Sequence, residues 1–427
     1  MFQVRYNYAA IHPHQEVSMR KRVVITGGSV ITSLGCEWAD ILANLKAVKN
    51  CVRRMNDWDR YAKMNTRLAS PVDFTMPDYP RKITRGLGRV AQLAFVSADK
   101  ALESAGINKD DPELKNGRCG IAYGSSMGSV DSLLDFYSML VLDDMTKMNA
   151  TTYIKAMPQT CVANIGVILG LTGRVITTNT ACTSSSHAIG FAYETIQRGL
   201  QDIMLAGGAD ELSPADAAVF DTLFATSSKN DTPEKTPAAY DKNRDGLVVG
   251  EGAGTLILEE YEHAKKRGAK IIAEIVGFGT NSDGTHITQP NRATQSIVMK
   301  LALEDACLDP SLIGYVSTHG TATDVGDIAE SWATADVFQR PVPVSALKNY
   351  IGHTLGACGV IEAWLSILMM KEKWFCPNLN LEELDPRCGP LDYITGSGRE
   401  IDTDYIMSNN FAFGGMNSSL IFRNISE

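Results

Sequence analysis

Cys182 stands between two different sequence patterns and is a candidate nucleophile. The run 175–180 ahead of it is short and rich in β-branched residues, which is typical of a strand. Behind it, Ile189, Ala192 and Ile196 recur at helical spacing. The thiol is therefore predicted at a strand-to-helix turn. There, unpaired N–H groups and the helix dipole favour a thiolate, the form that attacks thioesters. Taken alone, the residue fits a buried packing cysteine equally well.

Two histidines occupy junctions of the same type. His319 follows a β-type run in Ser-Thr-His-Gly-Thr-Ala-Thr-Asp, and His353 opens a helical pattern in Asn-Tyr-Ile-Gly-His-Thr-Leu-Gly. In doubly wound α/β proteins, sites are assembled where strands end and helices begin. A single histidine at such a junction more often has a structural role. Two histidines, each beside a glycine at the same type of junction, favour a functional role. We expect Cys182, His319 and His353 to converge.

The elements that must position these residues are visible as alternating β-type and helical runs, which predict an α/β fold. The turn Ser-Asn-Asn-Phe-Ala-Phe-Gly-Gly near the end resembles the turn at Cys182 in outline, which indicates two similar halves. We predict a leader at residues 1–18, disordered or of vector origin. An N-terminal half at 19–268 then carries the nucleophile, and a C-terminal half at 269–427 carries both histidines.

Composition argues against several classes of protein. A net charge of −9 over 427 residues does not suit a nucleic-acid-binding surface, and no apolar run reaches the length of about 18 residues that membrane insertion requires. The nine cysteines are odd in number and form no C-x-x-C pair, which argues against a disulfide framework and a metal site. These features predict a reducing compartment, the cytoplasm.

Five motifs occur in one order along the chain. They are Ala-Cys-Thr-Ser-Ser-Ser-His-Ala-Ile-Gly around the cysteine and the segments 244–254, 319–327, 348–353 and 411–417. Together they resemble the serial motifs of the β-ketoacyl-acyl-carrier-protein synthases, types I and II, from about Met19 to the end. The resemblance implies a thiolase-type fold with two related halves in a layered αβαβα body. It also implies a dimer whose interface helps to shape the acyl tunnel.

The resemblance further implies a decarboxylative Claisen condensation. Cys182 would take the acyl group from a carrier-protein thioester, and the carbanion from malonyl carrier protein would then attack the acyl-cysteine, giving a 3-oxoacyl product and carbon dioxide. His319 and His353 would stabilise the enolate, and which of them also handles protons stays open. Lys348 and Glu330 match family positions that support the histidines.

Other positions would bind the substrates. By resemblance, the backbone N–H groups of Cys182 and Phe413 form the oxyanion hole beside a gate, and glycines at 414 and 415 permit close approach. The residues of this hole and gate, of the pantetheine site and of the distal acyl tunnel are Cys182, Phe413, Gly414, Gly415, Thr321, Thr323 and Met127. Four basic residues at the head of one predicted helix fall near the family's docking patch for acidic carrier protein; they are Arg81, Lys82, Arg85 and Arg89.

The resemblance implies no bound cofactor, because the substrates are carried on the phosphopantetheine of acyl carrier protein. Carrier protein is therefore one expected partner, and the dimer is either a homodimer or a heterodimer with a chain-length-factor-like homologue. The motifs look closest to ketosynthases of aryl-polyene or related polyketide clusters, with housekeeping fatty-acid elongation as the alternative. A non-catalytic partner subunit is disfavoured by the intact Cys182, His319 and His353. A thiolase or a type III synthase would use different partner residues, with Asn or a second Cys at the relevant turns. A Cys/His hydrolase would not need Thr321, Thr323 or the double-glycine turn.

We expect an acyl carrier thioester to acylate Cys182, because a thiol at this turn is positioned for attack on a thioester. Intact-mass measurement should show the protein gaining one acyl group, and malonyl carrier protein should convert that adduct to an elongated product. Absence of acylation on the wild type, or its persistence in Cys182→Ala, would contradict the assignment of the nucleophile.

Overall fold

A computed structural model describes residues 20–425, so the predicted leader lies outside the described residues. The strands are β1 Val23–Ile31, β2 Arg53–Arg54, β3 Leu68–Ser70, β4 Cys119–Gly124, β5 Val175–Thr178, β6 Ile203–Asp210, β7 Val249–Gly250, β8 Gly252–Glu260, β9 Ala273–Ser282, β10 Ile313–Ser317, β11 Pro343–Ser345, β12 Trp374–Phe375, β13 Asp392–Tyr393, β14 Arg399–Glu400, β15 Tyr405–Ala412 and β16 Met416–Asn424. The helices are α1 Trp38–Lys46, α2 Arg81–Thr84, α3 Arg89–Ser104, α4 Val130–Leu142, α5 Ala150–Ala156, α6 Thr160–Leu169, α7 Ser184–Gln197, α8 Pro214–Asp221, α9 Tyr261–Lys266, α10 Arg292–Ala306, α11 Asp324–Phe338, α12 Lys348–Ile351 and α13 Cys358–Lys371.

Eleven strands form one continuous sheet in which a single strand order occurs twice. The order is β1-β8-β6-β4-β5 on one side of the β1–β9 pairing and β9-β16-β15-β10-β11 on the other, with β13 at the far edge. In each half the three outer strands are parallel, and the strand next to the pairing is antiparallel to them. The two related halves predicted from the sequence are confirmed. The boundary at 268/269, which lies between α9 and β9, stays a prediction.

Alternate residues of the central strands face different hydrophobic cores, which builds the layers. In β8, Leu256 and Leu258 belong to a core shared with α7 and α13, whereas Ile257 faces a second core with α3 and α6. In β16, Phe422 faces the shared core and Ile421 faces a third core with α10 and α11. The helices α7 and α13 thus form the middle of five layers, and the predicted αβαβα body is confirmed.

The first strand is longer than its sequence pattern indicates. A strand ending at residue 26 in a Gly-Gly turn is expected, but β1 continues through Gly27 and Gly28 to Ile31. A Cβ at Gly27 would overlap the α3 backbone, and one at Gly28 would overlap the Trp364 ring. These glycines therefore permit close packing of helices on the strand rather than a turn. Within residues 20–425, no helix has both the length and the apolar character needed to span a membrane.

We expect Gly190→Ala to destabilise the fold, because an added Cβ on α7 would overlap the Phe278 ring of the second half. Overpacking of this kind costs about 1–3 kcal/mol. Gly166→Ala on α6 is the matched control, since its Cβ would meet nothing within 4 Å. Thermal denaturation should show a lower midpoint for Gly190→Ala alone, and equal midpoints for both variants would contradict the tight packing of the middle layer.

Candidate active site

The turn that carries Cys182 is strained and firmly held. Cys182 lies in a 3₁₀ turn, Ala181–Thr183, between β5 and α7, and Ala181 has a φ of 49°, in the left-handed region that non-glycine residues rarely adopt. The Thr183 and Ser184 hydroxyls donate to carbonyl groups of the same turn, each at 2.7 Å. These bonds stabilise a conformation that presents the sulfur at the start of α7.

The second half contains the same kind of strained 3₁₀ turn ahead of α13. There, Leu355 has a φ of 50° and opens the 3₁₀ turn Leu355–Ala357 two residues after His353. This equivalent turn brings His353 back to the first half, where its Nε2 lies 3.0 Å from Cys182 Sγ. The two side chains meet because α7 and α13 pack together in the middle layer.

The hydrogen bonds of His353 determine its tautomer. The backbone N–H of Leu355 donates to His353 Nδ1 at 3.2 Å, so Nδ1 carries no proton. Burial, followed by the charge of Lys348, lowers the pKa of His353 well below its usual value, so the ring is neutral at neutral pH. A neutral ring with an unprotonated Nδ1 carries its proton on Nε2, which therefore donates towards the sulfur.

His319 is arranged in the same way by different partners. Its Nδ1 lies 3.1 Å from Lys348 Nζ and 3.4 Å from Asn410 Nδ2, both of which can only donate. Burial, then Lys348 and His353, lowers the pKa of His319 well below the usual value. The two rings stand perpendicular with centroids 5.2 Å apart. Each therefore presents an Nε2–H, and the pair forms two neutral donors.

Two buried carboxylates support this arrangement, and only one of them is expected from the sequence. Glu330 accepts the N–H groups of His319 at 2.6 Å and Gly320 at 2.8 Å, so it fixes the loop rather than the imidazole. Burial raises the pKa of Glu330 to about 7. The unexpected carboxylate is Glu362, which pairs with Lys348 Nζ at 2.5 Å and accepts from Asn410 Nδ2 at 2.8 Å.

The sequence does contain a signal for Glu362. It is a single carboxylate within the apolar helical run Gly-Val-Ile-Glu-Ala-Trp, and a buried carboxylate requires a charged or hydrogen-bonding partner. That partner is Lys348, only 1% exposed. Burial lowers the pKa of Lys348, but Cys358 and Glu362 together raise it by more. The pKa is therefore raised overall, and the ammonium keeps its charge. Asn410 carries no comparable local signal.

The thiol of Cys182 is protonated at neutral pH. Burial raises its pKa to about 11, although the Lys348 charge and the backbone N–H groups of Phe413 and Cys182 lower it. The expectation that the turn holds a resting thiolate is therefore wrong, because desolvation outweighs the helix start. The two N–H groups predicted for the oxyanion hole nevertheless both act on the sulfur, since each lowers the pKa of the thiol.

A cavity connects this cluster to the surface. Cys182, both histidines and the two threonines at 321 and 323 line it, and the threonine hydroxyls lie 2.9 Å apart. Phe413 closes one side, with its ring 5.2 Å from that of Phe220. Gly414 and Gly415 follow with φ of 89° and 71°, and a Cβ at Gly415 would press on Asp283. The turn therefore requires glycine.

The residues predicted for the distal acyl tunnel and for the docking patch do not line this cavity. Met127 is 37% exposed and is absent from the described residues that line the cavity. Arg81 and Lys82 belong to the separate short helix α2 and are exposed, as is Arg85. Arg89 does not share that exposed surface, because its guanidinium pairs with Glu251 at 2.9 Å and lies half-buried at the start of α3.

Three side chains of the site are potential metal ligands. The donor atoms of Cys182, His319 and His353 lie within 4.8 Å of one another, a spacing that a thiolate-imidazole metal site can use. However, the Lys348 ammonium lies against His319 and would repel a cation. The expectation of a site without metal stays a prediction.

Comparison with known proteins identifies the same two regions. Residues 20–264 match the family profile described as the beta-ketoacyl synthase N-terminal domain, and residues 272–382 match the beta-ketoacyl synthase C-terminal domain. The 3-oxoacyl-(acyl-carrier-protein) synthase 1 of Haemophilus influenzae is 36% identical over 415 residues, which cover 94% of this chain and 99% of that protein.

Solved structures of ketosynthases superpose on this chain over most of its length. A beta-ketoacyl synthase from Burkholderia phymatum superposes with a TM-score of 0.94 at 56% identity, covering 95% of this chain and 100% of that chain. The ishigamide ketosynthase/chain length factor superposes with a TM-score of 0.85 at 30% identity, again covering 95% of this chain and 100% of that chain.

The protonated thiol predicts how alkylation of Cys182 depends on pH. Because its pKa is raised to about 11, the thiolate fraction should grow about tenfold per pH unit between pH 7 and 10. Iodoacetamide labelling, followed by mass spectrometry of the Cys182 peptide, should follow that slope, with Cys182→Ala as the background control. A rate that levels off below pH 8 would indicate a resting thiolate instead.

Proposed function

This chain belongs to the β-ketoacyl synthase family, and from that premise we propose how its own residues carry out the condensation. It is an acyltransferase that joins an acyl group to malonyl-acyl carrier protein, giving 3-oxoacyl-acyl carrier protein and carbon dioxide. It binds no cofactor, since its substrates are carried on the phosphopantetheine of acyl carrier protein. The contact of 3.0 Å between His353 Nε2 and Cys182 Sγ, at the end of the cavity that His319 also lines, supports the proposed roles most directly.

In the first half-reaction, Cys182 is the nucleophile. Its sulfur attacks the carbonyl carbon of the acyl thioester, the new S–C bond forms, and the bond to the carrier thiol breaks. The backbone N–H groups of Cys182 and Phe413 hold the oxyanion, as the family resemblance implies, and both act near the sulfur, where they lower the pKa of the thiol. The cysteine proton leaves with the released carrier thiol, so the step balances. The Lys348 charge supports the sulfur as it becomes anionic.

In the second half-reaction, the two histidines are hydrogen-bond donors. The bond between the malonyl carboxylate and its α-carbon breaks, carbon dioxide leaves, and the electron pair forms an enolate on the thioester. The Nε2–H groups of His319 and His353 bind the enolate oxygen. Its carbon attacks the acyl-cysteine, the S–C bond breaks, and the cysteine thiolate then takes a proton from solvent. This tautomer assignment makes neither imidazole a base in the resting enzyme.

Lys348, Glu330 and Glu362 are positioning residues in this proposal. The ammonium of Lys348 keeps the proton of His319 on Nε2, and Glu362 balances its charge. Glu330 keeps the His319 backbone in place. Thr321 and Thr323 bind the phosphopantetheine arm, Met127 contributes to the distal acyl tunnel, and the exposed residues Arg81, Lys82 and Arg85 bind carrier protein, each as the family resemblance implies.

We propose that the enzyme acts as a dimer, either with a second copy or with a chain-length-factor-like homologue. The exposed apolar side chains on α4 support a partner surface; they are Leu134, Tyr137, Leu140, Val141 and Leu142. The likeness to the ishigamide ketosynthase/chain length factor supports the heterodimer with a chain-length-factor-like homologue. The sequence motifs support an aryl-polyene or related polyketide pathway, and the likeness to the synthase of Haemophilus influenzae supports housekeeping fatty-acid elongation as the alternative. Nine free cysteines support a cytoplasmic location.

We expect the two histidines to be needed for condensation and not for acyl transfer. His319→Ala and His353→Ala should each lower the condensation rate about 10²–10³-fold, the usual effect of removing one oxyanion donor. Intact-mass measurement should still show acylation of Cys182 in both variants.

Matched glutamine variants distinguish a donor from a base. Because the glutamine amide places an N–H near the position of Nε2, His353→Gln and His319→Gln should retain more condensation than the alanine variants. Glutamine and alanine variants with equal rates would contradict the donor roles, and loss of acylation in every variant would contradict the division of labour between the half-reactions.

A further inference from the structure

Gln295 has a buried amide with an unused acceptor in the wall of the active-site cavity. It lines the cavity together with Cys182, His319 and the threonines at 321 and 323, and it is only 1% exposed. Its Oε1 has no hydrogen-bond partner among the residues that the structure describes. A buried carbonyl oxygen without a partner is destabilising, so its presence requires a compensating interaction.

Neighbouring polar side chains in the same wall have partners of their own. Asp283 accepts from Asn417 at 2.7 Å and from Thr294. The hydroxyls of Thr321 and Thr323 bond to each other. Gln295 differs from these neighbours because its acceptor is buried and has no partner among the described residues.

The position of Gln295 is fixed by regular structure. It is the fourth residue of α10, whose N-cap, Asn291, accepts from the Ala293 N–H at 3.0 Å. The next residue, Ser296, donates to the Ala333 carbonyl of α11 at 3.2 Å, so the first turn of α10 is attached to α11. Since α11 begins directly after Thr323, the Gln295 amide and the two threonine hydroxyls belong to one wall. A group on a helix that is held in this way is preorganised for binding.

The chemistry of the entering substrate decides what Gln295 can recognise. An acyl chain and a thioester contain no hydrogen-bond donor, and a malonyl carboxylate only accepts. The phosphopantetheine arm, by contrast, contains secondary amides, each with one N–H and one carbonyl. A glutamine side chain offers the complementary acceptor and donors in one plane.

We propose that Gln295 binds a secondary amide of the phosphopantetheine arm, with Oε1 accepting its N–H and the NH₂ group donating to its carbonyl. This inference rests on the proposed function, because that function brings the arm into the cavity. Gln295 is then a specificity residue that favours thioesters of the carrier arm over thioesters without an amide. It acts on binding, since the amide is remote from the atoms that react.

The test compares acylation of Cys182 by three hexanoyl thioesters that share the reacting group. These are the thioesters of pantetheine with two amides, of N-acetylcysteamine with one and of 1-butanethiol with none. We expect Gln295→Leu to lower kcat/KM about three- to tenfold for pantetheine, through KM, and to leave the butanethiol thioester unchanged. The N-acetylcysteamine value shows which amide is bound, since it falls only if the amide nearer the sulfur is the partner.

Two further variants make the result specific. Gln295→Met keeps the length of the side chain without its amide and should reproduce the effect if Gln295→Leu folds poorly. Gln339→Leu, at an exposed position outside the cavity, should leave all three rates unchanged. An equal loss of kcat/KM on all three thioesters would mean a structural role for Gln295. No loss on any of them would mean that water satisfies Oε1. Either result overturns the inference and leaves the proposed function intact. A wild-type protein that none of the three thioesters acylates would overturn the proposed function itself.

Discussion

The ammonium of Lys348, buried between His319 and Glu362, is the interaction on which the chemistry of the site depends. An ammonium can only donate, so its contact of 3.1 Å with His319 Nδ1 forces the imidazole proton onto Nε2. Its positive charge also lowers the pKa values of both histidines and of the Cys182 thiol. A buried charge of this kind is tolerated only with a partner, and Glu362 supplies it at 2.5 Å.

The duplicated architecture brings the catalytic groups together. Cys182 and His353 are separated by 171 positions in the sequence, yet they occupy the corresponding helix starts of the two halves. Each helix follows a 3₁₀ turn with one non-glycine residue in the left-handed region, Ala181 or Leu355. Such strain persists only where the surrounding packing outweighs it, and here both helices are enclosed between the two halves of the sheet.

Burial explains why the three reacting side chains are uncharged in the resting site. Desolvation raises the pKa of the thiol and lowers those of the imidazoles, so Cys182, His319 and His353 all rest in neutral forms. Charge on these three groups then develops only during reaction, where the Nε2–H of His353 already points at the sulfur. Donors that need no reorganisation are most effective where charge develops in a buried site. The same desolvation leaves the Gln295 carbonyl dependent on a ligand.

Much of the fold and of the candidate site could be predicted from the order of the motifs and from the strand-to-helix junctions that carry them. Alternating β-type and helical runs indicated the layered α/β fold, and histidines beside glycines at the junctions between such runs indicated the residues that meet Cys182. These features are readable because strand and helix periods, and the backbone needs of tight turns, are local properties.

Only the tertiary structure decided the protonation states, the supporting residues and the exposure of the predicted surface residues. Glu362 and Asn410 contact Lys348 and His319 from distant segments, Arg89 turns inwards to Glu251, and burial reverses the thiolate expected at the turn. These outcomes follow from desolvation and from contacts between residues far apart in the chain. The sequence by itself therefore determined which groups are available for the chemistry, whereas packing determined their charges and their partners.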